Sequence, residues 1–578
     1  MQIKPRPIPV VPPCLHHLHP VLQRVYASRG IVNQSQLDKR VQTLLPFNQL
    51  TDIDKAVQRL ELALQKNERL LIVGDFDADG ATSTALAISA LRVMGAKQVD
   101  FLVPNRFEFG YGLTPGLVGV ASKWQPNLII TVDNGISSID GVAAAKQVGI
   151  DVLITDHHLP GLTLPDACAI VNPNQFNDKF LSKSIAGVGV IFYVMLALRR
   201  HLATRGWFIQ QGIAEPNMAQ FLDLVALGTV ADVVSLDQNN RILVNQGLAR
   251  MRQGLCRPGI RALIEVAGRR CEQLRESDLG FAIAPRLNAA GRLDDMSLGI
   301  DCLLASNFEQ AKVLAQHLDD LNIERRKIET DMKEKAIAIL DKLFEQVNSG
   351  ENQLPIGLCL VDKSWHQGVI GILAGRLKDK YHRPVIAFAM VNEQEMKGSA
   401  RSIPGLNIRD VLATIDKDYP GLITKFGGHA MAAGLSLSVA AFEQFKQAFV
   451  NEVGKHIDLS QCSGEILSDG SLQQDEFTLE LTSILHSAGP WGQQFSEPLF
   501  DNVFEVLDQR IVGQNHLKLT IVHEQGGEPL DAIAFNIDTK LWPNHRARYI
   551  HAAFKLDMNH YRGRTTLQLL ILSMSVVE

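Results

Sequence analysis

Between about residues 46 and 300, short apolar runs alternate with longer segments in which apolar residues recur every three or four positions. This alternation predicts β-strands that are each followed by a helix. Each run is rich in Val, Ile and Leu and ends in a polar turn, as strands buried on both faces of a parallel sheet require. The predicted strands are Leu70–Gly74, Val99–Val103, Leu128–Val132, Val152–Thr155 and Ala169–Val171.

The pattern changes after residue 300. Residues 305–346 contain no proline or glycine, and their apolar positions recur at three and four, which predicts a long helix that connects two domains. A second α/β unit follows and begins with the strand Gly357–Val361. Strand patterns then dominate after about residue 460 and predict a small β-barrel. Its predicted strands are Gly513–Ile521, Ala532–Ile537, Tyr549–Lys555 and Thr566–Leu572.

A chain of 578 residues is too long for one hydrophobic core, so we expect several domains of the α/β class. The composition shifts divide it into five segments. These are an N-terminal lead-in (1–45), a parallel-sheet domain (46–300), a connector helix (301–350), a smaller α/β domain (351–455) and a C-terminal β-barrel domain (456–578).

Carboxylates crowd the end of the first predicted strand, where Asp75, Asp77 and Asp79 occupy alternate positions before a helix. Three such charges repel one another unless a positive charge lies between them, and a divalent cation is the usual solution. A solvated, Asp-rich turn that caps the helix is the alternative reading of this motif alone.

Further polar motifs recur along the same domain, at Asp133, at Asp156-His157-His158 and at Asp232. A lone Asp-Asn-Gly or His-His is more often a satisfied turn than a ligand. Together, at successive ends of one sheet, these charges would be buried without compensation. Two divalent cations would satisfy them, and the predominance of oxygen ligands favours Mg²⁺ or Mn²⁺. Such a pair suits in-line displacement at phosphorus.

Bulk composition narrows the function only slightly. The net charge of −5 argues against a generic basic nucleic-acid binder, although bound cations would reverse the local field. The seven scattered cysteines form no Cys-x-x-Cys pair, which favours a reduced cytoplasmic protein without structural zinc. No apolar run approaches the roughly 20 residues that span a bilayer, so no membrane partner is expected.

The triplet Asp156-His157-His158 resembles the motif that gives the DHH phosphoesterase superfamily its name. Three longer motifs, 104–112, 285–293 and 425–434, and the Gly-Pro-Trp-Gly at 489–492 are similar to the bacterial single-strand-specific 5′→3′ DNA exonucleases of that superfamily. The resemblance covers about residues 20–575. It implies a DHH catalytic domain, a DHHA1 substrate-binding domain and a C-terminal OB-fold barrel.

The resemblance also implies roles for the residues of the catalytic domain. Asp75 would orient a ligand or the attacking water, and Asp156 would hold the ring of His157. His158, expected on the opposite side of the chain from His157, would face the scissile phosphate as an acid or electrostatic stabiliser. The implied ligands of two Mg²⁺ or Mn²⁺ ions are Asp77, Asp79, Asp133, His157 and Asp232.

Substrate-binding residues are implied in three places. Arg106 follows the second strand, and a predicted turn before the connector helix supplies further polar residues. In the second α/β unit, paired glycines would let the backbone approach a phosphate closely, although a tight turn is the plain reading of a Gly-Gly-His sequence. Besides Arg106, the implied residues are Arg286, Asn288, Arg292, Ser399, Arg401, Gly427, Gly428 and His429.

The implied function is a cytoplasmic exonuclease that degrades single-stranded DNA to 5′-mononucleotides in repair and recombination. The resemblance adds single-stranded-DNA-binding protein and a helicase as partners, and we expect a monomer. Two alternatives stay open: hydrolysis of short oligonucleotides, cyclic dinucleotides or pyrophosphate, and a non-catalytic scaffold for single strands. Residues 461–578 carry 8 Lys and Arg against 15 Asp and Glu, so a DNA-binding barrel needs one basic face.

Overall fold

The computed structural model describes residues 2–105, 109–346, 355–458, 462, 464–539 and 541–577. The chain forms two compact units. The larger unit contains residues Pro5–Asp320 and Leu467–Glu578, and the smaller unit contains Met1–Lys4 and Leu321–Ile466.

The strands follow the alternation of the sequence. Within the described residues they are β1 (Gln2–Pro5), β2 (Leu70–Gly74), β3 (Val99–Leu102), β4 (Leu128–Val132), β5 (Asp151–Thr155), β6 (Ala169–Val171), β7 (Leu358–Val361), β8 (Val385–Met390), β9 (Glu395–Arg401), β10 (Lys425–Gly428), β11 (Ala432–Ser438), β12 (Glu465–Ser468), β13 (Phe500–Val512), β14 (His516–His523), β15 (Leu530–Ala534), β16 (Tyr549–Tyr561) and β17 (Arg564–Val577).

The helices cover the sheets and connect the two units. In the same described ranges they are α1 (Pro20–Ser28), α2 (Ile53–Gln65), α3 (Ala78–Val93), α4 (Pro115–Ala121), α5 (Ile139–Gln147), α6 (Gly187–Thr204), α7 (Trp207–Gln211), α8 (Leu222–Ala231), α9 (Gln238–Arg252), α10 (Pro258–Val266), α11 (Glu276–Asp278), α12 (Ala284–Leu293), α13 (Ser297–Leu304), α14 (Phe308–Gln346), α15 (Ile370–Tyr381), α16 (Ile408–Asp418), α17 (Phe442–His456) and α18 (Leu479–Ala488).

A five-stranded parallel sheet organises the larger unit, in the order β3-β2-β4-β5-β6. It confirms the predicted parallel sheet. The strand order reverses between β2 and β4, and ligands of such sheets bind in the crevice outside the carboxyl ends of the strands at that point. The loops that follow β2, β4 and β5 therefore meet at one edge of the sheet.

Helix α6 packs against α3 and α8 beside this sheet. In the described part of the chain it is the one helix long and apolar enough to cross a membrane, and 67% of it is buried inside the fold. Core helices of globular proteins pass the same test, so the helix is weak evidence for a membrane span.

Two predicted positions in the larger unit were wrong. Asp232 follows helix α8, whereas the sequence reading placed it at a strand end. Arg286, Asn288 and Arg292 lie on helix α12 and not in a turn. Pro285 lies in the first turn of α12, directly after the π-helical segment Leu279–Ile283.

The smaller unit contains a five-stranded mixed sheet in the order β10-β11-β9-β8-β7. Only its β7–β8 pair is parallel, and α17 packs an aromatic core of Phe445 and Phe449 against Phe388 of β8. Arg401 at the end of β9 is in register with Ala432 at the start of β11, next to the β10–β11 turn. This unit confirms the predicted second α/β domain.

The C-terminal strands close into a barrel in the order β13-β14-β15-β17-β16, which confirms the predicted small barrel. Fully buried Phe500, Phe504 and Phe554 fill its interior. The sequence reading missed β13, although its first residues alternate between buried and partly exposed positions. The alternation is lost after Val506, where a bulge shifts the pairing with β14.

Candidate metal centre and active site

The loop after β2 carries the aspartate run and leads directly into α3. Asp77 caps this helix, since its Oδ1 accepts hydrogen bonds from Asp79 N at 2.9 Å and Gly80 N at 3.0 Å. Ala78 N donates to Asn288 Oδ1 of α12 at 2.9 Å. The loop is therefore held from both sides, and Asn288 positions the aspartates through the backbone.

The carboxylate of Asp79 is fixed by the N-terminus of α6. Its Oδ2 accepts a hydrogen bond from Gly187 N at 2.7 Å and its Oδ1 accepts one from Val188 N at 2.9 Å. Free N–H groups and the positive end of the helix dipole stabilise a carboxylate in this position. The sequence reading missed both donors.

Two glycines let the helices approach the carboxylates closely. A Cβ added at Gly187 would lie 2.6 Å from Oδ1 of Asp133. A Cβ added at Gly228 of α8 would lie 2.9 Å from Oδ1 of Asp79 and 2.3 Å from Oγ1 of Thr82. A side chain at either position would thus displace the acidic groups.

Asp133 directly follows β4 and has the left-handed φ of 61°. The next residue, Asn134, is fully buried and donates to the carbonyls of Val73 at 3.0 Å and Val132 at 2.9 Å. These bonds fasten the end of β2 to the end of β4. Asp133 is consequently presented at the edge where Asp75 and Asp77 lie.

The triplet Asp156-His157-His158 follows β5. His157 Nε2 lies 3.1 Å from Asp133 Oδ1 and 3.5 Å from Asp232 Oδ2, so the imidazole joins acidic groups from a strand end and a helix end. Asp156 Oδ1 lies 2.7 Å from His158 Nδ1 and also accepts from His157 N at 2.7 Å. The expected effect of Asp156 on the ring of His157 stays a prediction.

The expectation that His158 lies opposite His157 was wrong. Their ring centroids are 4.5 Å apart, and both rings lie within reach of Asp133. The strict alternation of a strand does not apply, because β5 ends at Thr155. Both imidazoles therefore belong to one cluster.

Tyr111 is a further residue of this cluster that sequence reasoning placed near the edge without a role. Its hydroxyl donates to the carbonyl of Asp133 at 3.1 Å and lies 3.3 Å from His158 Nε2, the ring nitrogen that does not contact Asp156. The motif at 104–112 was the available signal for it. Arg106 of the same motif lies outside the described residues.

The side chains can hold cations in three overlapping groups whose ligand atoms lie within 4.8 Å of one another. The groups are Asp75, Asp77 and Asp133; Asp79, His157 and Asp232; and Asp133, His157 and His158. Asp133 Oδ1 is buried and receives no well-aligned hydrogen bond from the described residues, although His157 Nε2 lies 3.1 Å away. An oxygen-dominated set with imidazole suits Mn²⁺ or Mg²⁺. The sequence-predicted ligands Asp77, Asp79, Asp133, His157 and Asp232 are thus all brought together.

Without a cation, the buried carboxylates of the cluster repel one another strongly. Burial and the neighbouring charge of Asp77 raise the pKa of Asp79 to about 7, although two backbone N–H groups oppose the shift. Burial and the charge of Asp79 raise the pKa of Asp133 and of Asp232 well above the ordinary value. The protein therefore holds these carboxylates where a bound cation would relieve a large electrostatic cost.

His158 has the opposite tendency. Burial alone would lower its pKa, but the hydrogen bond and charge of Asp156 outweigh burial and raise the pKa to about 9. Burial would raise the pKa of Asp156, and the contact with His158 lowers it instead. The pair therefore favours a charged imidazolium that can donate a proton.

The predicted phosphate-binding residues of the smaller unit lie on β9 and at the end of β10, which both pair with β11. Arg401 Nη1 donates to Ser399 Oγ at 3.1 Å and to Ala400 O at 2.8 Å. A Cβ added at Gly371, near the start of α15, would lie 2.9 Å from Arg401 Nη2, so this glycine makes room for the guanidinium. Gly427 and Gly428 end β10, and His429 N donates to Ala432 O at 2.8 Å.

The arginines of α12 have different surroundings. The guanidinium of Arg286 is buried, lies 2.8 Å from Asp319 Oδ1 and donates to Ala282 O at 2.5 Å. The contact with Asp319 joins α12 to α14. Arg292 near the end of α12 is half-buried. Contact of either residue with a substrate stays a prediction.

A parallel sheet with acidic and histidine groups at its carboxyl edge, followed by a second α/β domain, defines a metal-dependent phosphoesterase of the DHH class. Family models agree with this class. The DHH family, N-terminal domain, matches residues 69–229, the DHHA1 domain matches 354–455 and the RecJ OB domain matches 468–573. The finer boundaries of the five predicted segments stay a prediction.

Known proteins extend the match over the whole chain. The single-stranded-DNA-specific exonucleases RecJ of Salmonella typhimurium and of Escherichia coli are each 54% identical over 96% of this chain and 95% of their own length. The crystal structure of RecJ from Thermus thermophilus in complex with Mn²⁺ has a TM-score of 0.80 at 27% identity and covers 100% of this chain and 79% of its own. The chain belongs to the RecJ family.

We expect Gly187→Ala to damage the metal centre while all ligands are retained. The added methyl group would clash with Asp133, and such changes beside a ligand weaken metal affinity by about 10–100-fold. Mn²⁺ affinity measured by calorimetry checks this. Gly119→Ala in α4, where an added Cβ meets nothing within 4 Å, is the matched control. Unchanged Mn²⁺ affinity in folded Gly187→Ala protein would contradict the arrangement.

Proposed function

We propose that the chain is a cytoplasmic single-stranded-DNA-specific exonuclease. It removes 5′-mononucleotides from the 5′ end and acts in DNA repair and recombination. The observation that carries this proposal is the cluster of carboxylates and imidazoles at the carboxyl edge of the sheet, in a chain 54% identical to single-stranded-DNA-specific exonucleases over nearly its whole length.

Asp77, Asp79, Asp133, His157 and Asp232 would hold two Mn²⁺ or Mg²⁺ ions, with Asp75 as an additional ligand or as the residue that orients the attacking water. The relative from Thermus thermophilus has crystal structures with Mn²⁺ and with Mg²⁺. When bound, the ions supply Lewis-acid activation of water and neutralise charge at the phosphorus.

The remaining residues of the cluster would handle protons and position. His158, kept cationic by Asp156, would stabilise the negative phosphate and donate a proton to the departing 3′ oxygen. The hydroxyl oxygen of Tyr111 would accept from His158 Nε2 and keep the ring in place, while the hydroxyl proton anchors the backbone carbonyl of Asp133. Each contact orients a group before substrate arrives.

Phosphate recognition is proposed for the smaller unit. The guanidinium of Arg401 is oriented by Ser399 and Ala400 beside the first turn of α15. Planar guanidinium groups and backbone N–H groups of glycine-rich turns both bind phosphate oxygens. Gly427, Gly428 and His429 supply such a turn next to the end of β9.

A basic cleft in the larger unit is suited to a more distant part of the strand. It has a volume of about 1030 Å³ and lies between residues 268–281 and the β16–β17 hairpin of the barrel. Its cations are Arg269, Arg270, Arg275, Lys555, Arg562 and Arg564. The cleft also contains Asp278, Glu497 and Asp557, which pair with Arg269, Lys555 and Arg275. Six cations against three carboxylates give the cleft a net positive charge, as binding of a DNA backbone requires.

We expect the protein with Mn²⁺ to convert a 5′-phosphorylated single-stranded 50-mer to mononucleotides, starting at the 5′ end. A blunt duplex of the same sequence should be degraded at least about ten-fold more slowly. Asp79→Asn should lose at least about a hundred-fold in rate while it still binds the single strand, because the ligand charge is removed and the strand contacts remain. Equal degradation of duplex and single strand, or faster turnover of dinucleotides than of the 50-mer, would refute the proposal.

We expect Arg401→Ala to raise KM for a single strand by about ten-fold or more, since a charged hydrogen bond to phosphate is lost. Mn²⁺ affinity should not change, because Arg401 belongs to a different compact unit from the metal ligands. Steady-state kinetics and calorimetry separate the two effects. Arg409→Ala, an exposed arginine of α16, is the control. An unaltered KM in Arg401→Ala would remove this residue from substrate binding.

Partners are proposed on the family resemblance alone. A helicase would supply single strands, single-stranded-DNA-binding protein would present them, and the exonuclease would act as a monomer. Light scattering should then give a mass near 63.7 kDa, and immobilised single-stranded-DNA-binding protein should retain the enzyme. A dimeric mass, or no retention on that protein, would contradict the corresponding proposal.

A further inference from the structure

The end of the parallel sheet opposite the metal centre carries a basic surface of its own. β2, β3 and β4 begin there, at Leu70, Val99 and Leu128. A cavity of about 600 Å³ lies at this edge and is lined by four basic side chains and one indole. We call these residues the amino-edge patch: Arg69, Arg92, Lys97, Lys123 and Trp124.

The positive charge of the amino-edge patch is not compensated locally. Among the residues that the structure describes, no carboxylate forms an ion pair with any of its four cations. Asp100 is the one acidic residue that lines the cavity. Since the chain has a net charge of −5, this surface is a local exception that favours an anionic ligand.

Backbone carbonyls orient the two arginines without neutralising them. Arg69 Nη1 donates to the carbonyl of Trp124 at 2.5 Å, and Arg92 Nη2 donates to the carbonyl of Val99 at 3.1 Å. A guanidinium has five N–H donors, so each arginine keeps donors for a ligand. The exposed Lys97 and Lys123 extend the charge around the cavity.

Trp124 adds an aromatic surface beside these cations. Its side chain is 42% exposed, at the end of the short 3-10 helix Ser122–Trp124. An exposed tryptophan next to positive charges is the combination by which proteins bind single strands without sequence preference, since bases stack on the ring and phosphates contact the cations.

We propose that the amino-edge patch is a second, non-catalytic binding site for single-stranded DNA. This second site rests on the proposed function, because that function makes single-stranded DNA the ligand. The patch binds a stretch of the DNA at the end of the sheet opposite the metal centre. It therefore contributes to the retention of long DNA strands and not to the reaction. An acidic peptide would match the charge alone, whereas a nucleotide chain matches both the charge and the indole.

The test compares long and short substrates in the double variant Lys97→Glu/Lys123→Glu. Without metal, its Kd for a dT 50-mer should rise about ten-fold, and the salt dependence of log K should fall by about 1.4, or 0.7 for each lost phosphate contact. Turnover of a dT 6-mer with Mn²⁺ should stay within about two-fold of the wild-type rate, because the metal centre is untouched.

Two further variants sharpen the test. Lys333→Glu/Lys417→Glu changes the net charge equally at exposed lysines outside the patch and should bind the 50-mer as the wild type does. Trp124→Ala should weaken 50-mer binding by about ten-fold with little change in the salt dependence, since stacking involves no phosphate.

Undiminished 50-mer binding in both patch variants would overturn the proposal. A second result would also overturn it: the wild type captures a Glu-rich decapeptide, the double variant does not, and both bind the 50-mer equally well. The patch would then be a docking site for an acidic protein. Failure of the wild type to cleave any single strand would instead refute the proposed function, which separates the two outcomes.

Discussion

Repulsion among carboxylates at one buried edge of a sheet is the constraint on which the larger unit depends. Asp75, Asp77, Asp79, Asp133 and Asp232 lie in overlapping groups within 4.8 Å, and burial raises the pKa of several of them. The fold meets part of this cost with fixed dipoles, the caps of α3 and the N-terminus of α6. Bound cations would relieve the remaining repulsion, which couples the stability of the site to its cofactor.

The position of this site could be predicted from the sequence because its acidic motifs directly follow strands that short sequence patterns reveal. Five short apolar runs gave the parallel strands almost residue for residue, and each acidic motif followed a run directly. Parallel strands place their carboxyl ends together, so proximity of Asp75, Asp133 and Asp156 required no knowledge of distant contacts. Where that logic was extended to Asp232, it was wrong, because Asp232 ends helix α8, and the packing of α8 against α3 and α6 brings the residue to the site.

The rest depended on tertiary contacts that no local pattern encodes. The donors to Asp79 come from residues more than a hundred positions away, and Asn288 reaches the aspartate loop from α12. The pairing of Asp156 with His158 is decided by a turn outside regular structure, where side-chain alternation gives no guidance. The amino-edge patch likewise unites the beginnings of three strands whose cations are unremarkable one at a time.

The close approach of Gly187 and Gly228 to the acidic groups has a consequence for how activity is inferred across the family. A chain could keep every carboxylate and imidazole and yet be inactive, because a single methyl group at either glycine occupies the space of an acidic side chain. An intact ligand set is therefore a necessary sign of a working nuclease but not a sufficient one. To infer nuclease activity in a relative, the two glycine positions should be checked together with the carboxylates and imidazoles.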